Sequence, residues 1–304
     1  MKRDFRVFVL GSSSALPSYD NFSSSHLLKI HNSCFLIDAG EGVQIQLRRF
    51  KLRYFKIEHI FITHLHGDHF FGLLGLLSSY NLLHREKPLH IHAPAELPQM
   101  IFPILNNVDT ALNYPVYFHT LKPGLNKIYE DKNIKIYSFE LQHRLPTWGF
   151  LFQEQPLIHK IRKEKLQQYS LNVPQIHALL RGEDVILDNG QTLKNSEITI
   201  PPPSPRSYAY VSDTLYYPKL SEILKNITLL YHEATFLKYD QETAKNTMHS
   251  TAEQAAKIAK LVNAQKLLIG HFSDRYKNKN LFLQEAKTIF PNVILAKDGL
   301  EIEI

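Results

Sequence analysis

Four side chains that commonly bind transition metals fall within the segment His64-Leu65-His66-Gly67-Asp68-His69. Imidazole nitrogen and carboxylate oxygen suit zinc and its neighbours in the first transition row. His64 and His66 stand at alternate positions beyond a predicted strand, so both rings can face one ion. Asp68 and His69 follow where the chain turns into a helix, and can face a second ion. The spacing predicts a two-metal centre rather than histidines that merely satisfy polar groups of the core.

Two ions need more than four ligands, and three further candidates share one position in the predicted fold. Each follows the carboxyl end of a predicted strand: His143, Asp213 and His271. In open α/β sheets, ligand sites gather at those strand ends. Asp213 is the natural bridge, since one carboxylate can hold two cations about 3.5–4 Å apart. We expect two Zn²⁺ per chain, with Mn²⁺ as a substitute, because these ligands do not discriminate strongly between metals.

The remaining histidines are interpreted as structural or surface residues. His90 and His92 alternate with Leu89 and Ile91, which is ordinary for a half-buried strand with one polar face. The others lie in loop-like or polar contexts and are expected at the surface: His119, His159 and His177.

Short β-branched and aromatic runs alternate with helical stretches along the chain, the pattern of an α/β fold. Strands are predicted at 7–10, 34–37, 57–63, 134–141, 208–212, 227–231, 266–270 and 293–296, and helices after residue 42 and at 70–83, 218–225, 251–262 and 281–288. The stretch 70–83 is apolar nearly all round. Ser250 and Glu253 have the Ser-x-x-Glu spacing of a capping box before the helix at 251–262.

Composition limits the class of protein. The 304 residues include 35 Lys and Arg against 29 Asp and Glu, a net charge of +6, which suits a polyanionic partner without requiring one. The one cysteine, Cys34, excludes an intramolecular disulfide and favours a reducing compartment. No apolar run approaches the roughly 18 residues of a membrane-spanning helix. We expect a cytoplasmic protein with no membrane partner.

One segment, from residue 153 to residue 206, lacks regular apolar periodicity. It carries a basic cluster and ends in a proline-rich run at 200–205, which suits neither a helix interior nor a central strand. Long insertions of this kind are usually functional or disordered. We therefore expect an inserted arm at 153–192; a solvated surface excursion is the open alternative. The cluster consists of Lys160, Arg162, Lys163 and Lys165.

These features resemble the metallo-β-lactamase superfamily and, within it, the short bacterial form of tRNase Z. The likeness covers essentially the whole chain and implies one domain, residues 1–304, folded as a four-layer αββα sandwich with both metals at one edge. The matching motifs, in chain order, are residues 10–17, residues 36–42, the His-x-His-x-Asp-His segment, His232-Glu233-Ala234-Thr235, His249-Ser250-Thr251, residues 270–276 and residues 296–299.

The resemblance implies an activity and roles for particular residues. The enzyme would be a zinc-dependent endoribonuclease that removes the 3′ trailer of precursor tRNA after the discriminator nucleotide, leaving a 3′-hydroxyl on the tRNA and a 5′-phosphate on the trailer. Asp68 would orient the attacking water and accept its proton. His249 would donate a proton to the leaving 3′ oxygen, with Glu233 holding its ring. Arg275 would bind a phosphate or form a structural salt bridge.

The resemblance also implies a homodimer in which the arm of one subunit presents tRNA to the metals of the other. The apolar helix at 70–83 supplies a surface for the partner, unless it is a fully buried core helix. The sequence departs from the family at the tip of the arm. Val173-Pro174-Gln175 stands there without the usual Gly-Pro element.

Other activities share parts of this pattern. A superfamily hydrolase of a small phosphodiester such as a cyclic nucleotide, of an aryl sulfate or of a thioester would need the metal ligands, but neither the pair Glu233 and His249 nor a basic arm. A nucleic-acid-binding protein that has lost catalysis would not need all seven ligands. A β-lactamase proper would show secretion and a different later ligand pattern.

Overall fold

The computed structural model describes residues 4–15, 21–107 and 112–304. The chain divides into two compact units. The first comprises Met1–Asp131, Lys135–Phe152 and Ser207–Ile304, and the second comprises Lys132–Ile134 and Gln153–Arg206. Leu16 and Pro17, at the end of the first loop motif, lie outside the described residues. Within those ranges, no helix is long and apolar enough to cross a membrane.

The elements are numbered in chain order. The strands are β1 (Phe5–Gly11), β2 (Ser25–Ile30), β3 (Ser33–Ile37), β4 (Ile57–Phe61), β5 (Leu89–Ala93), β6 (Val116–Thr120), β7 (Asn126–Glu130), β8 (Ile134–Leu141), β9 (Thr147–Glu154), β10 (Lys160–Ile161), β11 (Val185–Ile186), β12 (Thr192–Leu193), β13 (Thr199–Ile200), β14 (Ser207–Val211), β15 (Leu229–Glu233), β16 (Lys266–Gly270), β17 (Val293–Leu295) and β18 (Glu301–Glu303). The helices are α1 (Val43–Arg49), α2 (Gly67–Leu82), α3 (Leu97–Asn107), α4 (Lys163–Leu166), α5 (Val173–Arg181), α6 (Asn195–Ile198), α7 (Leu220–Ile223), α8 (Gln241–Thr247), α9 (Ala252–Leu261) and α10 (Asn280–Lys287).

The first sheet has seven strands in the order β18-β1-β2-β3-β4-β5-β6. Neighbours are antiparallel from β18 to β3 and parallel from β3 to β6. Helix α2 buries Leu73, Leu77 and Tyr80 in the apolar cluster on one face of this sheet, as the helical spacing i, i+4, i+7 predicts. Gly72 brings α2 against the loop after β3, since a Cβ atom there would lie 2.0 Å from the carbonyl oxygen of Gly40.

The second sheet has the order β17-β16-β15-β14-β9-β8-β7. Its strands from β14 to β17 are parallel, and β7 pairs with β8 antiparallel. Helix α9 packs on β15 and β16 through small side chains, which allow a close approach. These side chains are Ala252, Ala255, Ala256 and Ala259.

Aromatic side chains join the inner faces of the two sheets. Phe61 of the first sheet lies 5.3 Å from Phe150 and 5.5 Å from Phe152 between ring centroids. Phe35 lies 5.8 Å from Phe152. Such ring pairs supply both apolar burial and a fixed geometry to the core. With helices on both outer faces, the first unit is the predicted αββα sandwich.

The second unit has a small core of its own. Leu179, Val185, Leu193 and Ile198 form a buried cluster, and Glu154 pairs with Arg206 at 2.8 Å where the unit begins and ends. Its longest helix, α5, has a capping box between Asn172 and Gln175. This helix was not predicted from the sequence. The tripeptide Val173-Pro174-Gln175, which stands in place of the family's Gly-Pro element, forms the first turn of α5, where proline is favoured.

Most predicted elements are confirmed, with three corrections. The strand predicted at 227–231 is Leu229–Glu233, and the helix predicted at 218–225 shortens to Leu220–Ile223, because Leu224 is already extended. The capping box predicted for Ser250 and Glu253 is wrong. Thr251 and Gln254 form it instead, and Ser250 Oγ donates to the carbonyl oxygen of Thr214.

Candidate metal centre

The loop after β4 and the start of α2 carry the first four candidate ligands. His66 is the N-cap of α2, and Asp68 and His69 lie in its first turn. His143, Asp213 and His271 follow β8, β14 and β16. The fold therefore brings all seven candidates to one place, as the strand-end argument predicts.

The seven side chains form two groups of ligand atoms, each within 4.8 Å. In the first group, His64 Nε2 and His66 Nδ1 are 2.9 Å apart, and His66 Nδ1 lies 3.3 Å from His143 Nε2. Asp213 Oδ2 completes this group at 3.5 Å from His64 Nε2.

The second group holds Asp68, His69 and His271. Asp68 Oδ2 lies 3.4 Å from both His69 Nε2 and His271 Nε2. Asp213 reaches this group as well, since its Oδ1 is 3.3 Å from His271 Nε2. The Asp213 carboxylate thus faces both groups, which is the arrangement that a bridging ligand requires.

The donor set fits divalent transition-metal ions. Nε2 of His69 and Nε2 of His271 are buried and have no hydrogen-bond partner among the described residues. The other nitrogen of each ring is held: His69 Nδ1 donates to Asp38 Oδ2 at 2.8 Å, and His271 Nδ1 meets Thr235 Oγ1 at 2.8 Å. A ring fixed through one nitrogen presents the other as a metal ligand.

Two partners of this kind escaped the sequence analysis as individual residues. Asp38 also accepts the N–H of Thr63 at 2.8 Å and lies in the motif at 36–42. Thr235 Oγ1 donates to Glu233 Oε2 at 2.7 Å, so its oxygen is left to accept from His271. Both residues lie inside motifs named in the sequence analysis. Their contacts with His69 and His271, however, depend on which strands are neighbours in the sheets.

Burial and charge act against each other on the ionisable groups of the centre. Burial raises the pKa of Asp213, but the imidazoles of His271, His69 and His249 hold it well below its ordinary value. Burial lowers the pKa of His69, but the Asp68, Asp213 and Asp38 carboxylates raise it well above its ordinary value. Three carboxylates around these rings create a site that attracts cations.

Glu233 and His249 lie beside this centre. Glu233 is fully buried, and its Oε1 is 3.0 Å from His249 Nδ1. The same carboxylate accepts N–H groups of Ser250 at 2.9 Å and Thr235 at 2.9 Å. Burial lowers the pKa of His249, but Glu233 and Asp213 outweigh it and raise that pKa to about 9. His249 also falls within 4.8 Å of Asp213 and His271, so its distance alone would allow it to bind a metal.

An open cleft of about 630 Å³ lies over the ligands. His249 and Phe236 line it, together with Arg144, which the sequence analysis missed. Arg275 is not among the lining residues. Its guanidinium lies 4.9 Å from the ring centroid of Phe236 and 3.8 Å from Asp240, which favours a structural contact over the predicted phosphate contact.

The basic cluster belongs to the second unit. Lys160 lies in β10, Arg162 is the N-cap of α4, and Lys163 and Lys165 lie within α4. Lys160, Arg162 and Lys163 are exposed, whereas Lys165 is half-buried.

The other histidines fall into two classes. His90 and His92 occupy a strand, β5, as predicted, and take no part in the two ligand groups. His177 is exposed. His119 is exposed, as predicted, although it lies in a strand and not in a loop; only the surface prediction for His159 needs correction. His119 lies in β6 and stacks on His92, and half-buried His159 is 2.9 Å from Thr199 Oγ1.

Relatives that match over almost the whole chain show which family it belongs to. Ribonuclease Z of Cytophaga hutchinsonii is 46% identical over 298 residues, which cover 97% of this chain and 95% of that protein. Ribonuclease Z of Phocaeicola vulgatus is 44% identical over 301 residues, or 99% and 97% of the two chains. This chain belongs to the ribonuclease Z family. The family model described as anti-Pycsar protein Apyc1 also matches residues 5–173, but that match ends before Asp213, Glu233 and His249.

Solved structures agree with membership of the ribonuclease Z family. The short form of human tRNase Z matches with a TM-score of 0.71 and 27% identity over 98% of each chain. The metallo-β-lactamase fold protein YhfI of Bacillus subtilis matches with a TM-score of 0.71 at 19% identity over 100% of each chain, which shows the fold alone. The resemblance found in the sequence is confirmed, and this member of the family is a hydrolase.

Proposed function

We propose that this protein is a zinc-dependent endoribonuclease that removes the 3′ trailer of precursor tRNA. It cuts after the discriminator nucleotide and leaves a 3′-hydroxyl on the tRNA and a 5′-phosphate on the trailer. The observation that carries the proposal is the buried Glu233–His249 pair beside the seven ligands. Relatives named ribonuclease Z and a neighbour named tRNase Z support the choice of substrate.

Seven side chains would hold two Zn²⁺ ions, with Mn²⁺ as a substitute. They are His64, His66, His143, Asp68, His69, His271 and the bridging Asp213. When bound, the two ions supply a water activated for attack at neutral pH and stabilise charge on the phosphoryl oxygens.

Two side chains move protons in this proposal. Asp68 accepts the proton of the attacking water; its carboxyl is ionised at neutral pH, because the imidazoles of His69 and His271 outweigh burial and lower its pKa. His249 donates a proton to the leaving 3′ oxygen through Nε2, because its Nδ1 is bound to Glu233. Glu233 fixes the tautomer and the orientation of that ring.

The second unit serves as the tRNA-binding arm. Lys160, Arg162 and Lys163 present three exposed cations within four consecutive residues. Contacts from such cations to phosphates carry affinity without sequence readout, which suits an enzyme that must accept every tRNA. The short capped helix α5 takes the place of a Gly-Pro tip.

The active enzyme is a cytoplasmic homodimer. Helix α2 buries one face in its own core, but Phe71 is 59% exposed and Leu82 is 75% exposed, and this outer face is available to a partner subunit. Cys34 is a buried free thiol, which suits a reducing compartment. Light scattering at several concentrations should give twice the chain mass; a constant monomer mass would contradict the dimer.

Comparison of substrates tests the proposed activity against the small-molecule alternative. The zinc-loaded protein should cleave a 3′-extended tRNA with a kcat/KM at least 10³-fold above that for a cyclic nucleotide, an aryl sulfate or a thioester. The substitution His249→Asn should reduce RNA cleavage more than it reduces hydrolysis of the small substrates. Faster turnover of any of the three small substrates would overturn the proposal.

A further inference from the structure

Four histidines lie together on one face of the first sheet, apart from the seven ligands. His59 belongs to β4, His90 and His92 to β5, and His119 to β6. The parallel register places His59 beside His90 and His92 beside His119. Their rings stack, with centroids 4.9 Å apart in the first pair and 4.6 Å apart in the second.

The ring nitrogens meet in two diagonal pairs. His90 Nδ1 lies 2.9 Å from His119 Nε2, and His59 Nδ1 lies 3.2 Å from His92 Nε2. Two imidazole nitrogens that each lie about 2.0–2.1 Å from one ion, at angles between square and tetrahedral, are about 2.9–3.4 Å apart. Both pairs fall within that range.

The metal centre of the same chain has the same spacing. Its nitrogen pairs are 2.9 Å apart for His64 and His66 and 3.3 Å apart for His66 and His143. Distance alone does not decide, because an N–H···N hydrogen bond spans a similar length. A further observation is needed to separate a hydrogen-bonded array from a ligand site.

His92 supplies that observation. Its exposed fraction is 3%, and its Nδ1 is buried without a hydrogen-bond partner among the described residues. Hydrogen bonds inside the cluster therefore leave one of its nitrogens unsatisfied, which is costly in a buried position. The cluster also has a route to solvent, since His119 is exposed and His90 is half-buried.

Burial and the neighbouring His90 imidazole lower the pKa of the His119 ring, which favours the neutral form that binds metals. Burial, with neighbouring imidazoles, lowers the pKa of His59 to about 4 and the pKa of His92 to about 2. Both rings are neutral at pH 7, and neutral imidazole is the form that coordinates an ion.

We propose that this cluster is a second metal site, which takes one divalent transition-metal ion that prefers imidazole, such as Ni²⁺, Cu²⁺ or Zn²⁺. His90 and His119, the pair that reaches solvent, hold the ion. His92 stacks on His119 behind this pair, and His59 lies against His92. The ion links β5 to the edge strand β6, so it stabilises the outer part of the sheet without taking part in RNA cleavage.

The test uses Ni²⁺ as the probe on the zinc-loaded, full-length protein. After equilibrium dialysis against about 50 μM Ni²⁺, nickel and zinc are both counted by plasma mass spectrometry. The wild type should hold about one more nickel per chain than His90→Asn/His119→Asn, at unchanged zinc content. Nickel should also raise the Tm of the wild type by about 2–5 °C, and this shift should be lost in the variant.

The matched control is His84→Asn/His177→Asn, which removes two exposed imidazoles from elsewhere and should bind nickel as the wild type does. Equal nickel in the His90/His119 variant and the wild type would overturn the proposal, as would nickel uptake matched by loss of zinc. If the double variant unfolds, the single change His119→Asn, at an exposed position, should still weaken nickel binding at least tenfold. RNA cleavage should stay within about twofold in both variants.

Discussion

Glu233 Oε1 and His249 Nδ1 are 3.0 Å apart, and the carboxylate that orients the imidazole is itself held by N–H groups of Ser250 and Thr235. Glu233 is fully buried, whereas the His249 side chain keeps 15% of its surface exposed at the cleft. The pair therefore resembles a held proton donor more than a metal ligand. In the proposed mechanism, this pair supplies the proton that a poor leaving group needs.

Replacement of His249 tests that relationship. We expect His249→Ala to slow RNA cleavage by about 10²-fold or more while zinc content stays unchanged, as for a lost general acid. Single-turnover rates and metal analysis of the same sample provide the measurement. Zinc loss in parallel with activity would instead make His249 a ligand, which its closeness to Asp213 and His271 allows.

Asp38 gives a second prediction, because its carboxylate holds Nδ1 of the candidate ligand His69 at 2.8 Å. We expect Asp38→Asn to weaken zinc binding by about 10- to 100-fold, since loss of such a partner lowers the basicity of the ligand. Zinc retained against increasing chelator is the readout. Tyr210→Phe removes a longer contact to the same carboxylate, 3.3 Å, and should change zinc affinity far less. Equal effects from the two variants would contradict this account of Asp38.

Much of the centre could be predicted because its ligands depend on local spacing and on strand ends. His64, His66, Asp68 and His69 form one motif, and Asp213 and His271 follow buried strands. The partners Asp38 and Thr235 depend on the order and register of strands far apart in sequence, which periodicity does not encode. The cluster of four histidines on β4, β5 and β6 could not be predicted for the same reason, because it forms only when these three strands lie side by side.

The second unit was only partly predictable for a different reason. Its strands have two residues each and its longest helix has nine, too few for a hydrophobic period to appear. The shift of the capping box has a local cause. The Ser250 hydroxyl donates to the carbonyl oxygen of Thr214, and its backbone N–H donates to Glu233. The neighbouring Thr251 therefore caps α9.

Acid should destabilise the fold through His26. Burial lowers the pKa of its ring to about 3, against about 6.5 in an unfolded chain. The unfolded state binds the proton first, so the contribution is unchanged above pH 6.5 and stability is lost as pH falls from 6.5 toward 3. At pH 5 the loss is about 2 kcal/mol from this one group.

Urea unfolding at pH 7.5 and pH 5.0 measures this effect. His26→Gln should reduce the difference in unfolding free energy between the two pH values by about 2 kcal/mol, whereas His84→Gln, at an exposed position, should not. Comparing this pH difference between each variant and the wild type cancels contributions that the variants share, including acid release of metals. An unchanged difference in His26→Gln would show that the ring is not held neutral.

The proposed arm can be tested by charge alone, without removing the unit. Changing Lys160, Arg162 and Lys163 to Ala should raise the KM for precursor tRNA at least tenfold and flatten its salt dependence. The kcat for bis(p-nitrophenyl) phosphate should remain within about twofold. The control changes three exposed lysines of the first unit, Lys225, Lys260 and Lys287, to Ala.

Two other results would contradict the proposed role of the second unit in tRNA binding. Loss of both activities together would make the segment a structural part of the enzyme. Loss of neither would leave tRNA binding to the first unit, around Arg48, Arg49 and Arg275.

The most direct test of the central claim is to map the cut in a 3′-extended precursor tRNA incubated with the zinc-loaded protein. Sequencing of both product ends should place one cleavage immediately after the discriminator nucleotide, with a 3′-hydroxyl on the tRNA and a 5′-phosphate on the trailer. Cleavage should disappear with a chelator and return with Zn²⁺ or Mn²⁺. Scattered cuts, removal of the trailer one nucleotide at a time, or an uncut precursor under conditions where a small ester is hydrolysed would contradict the account.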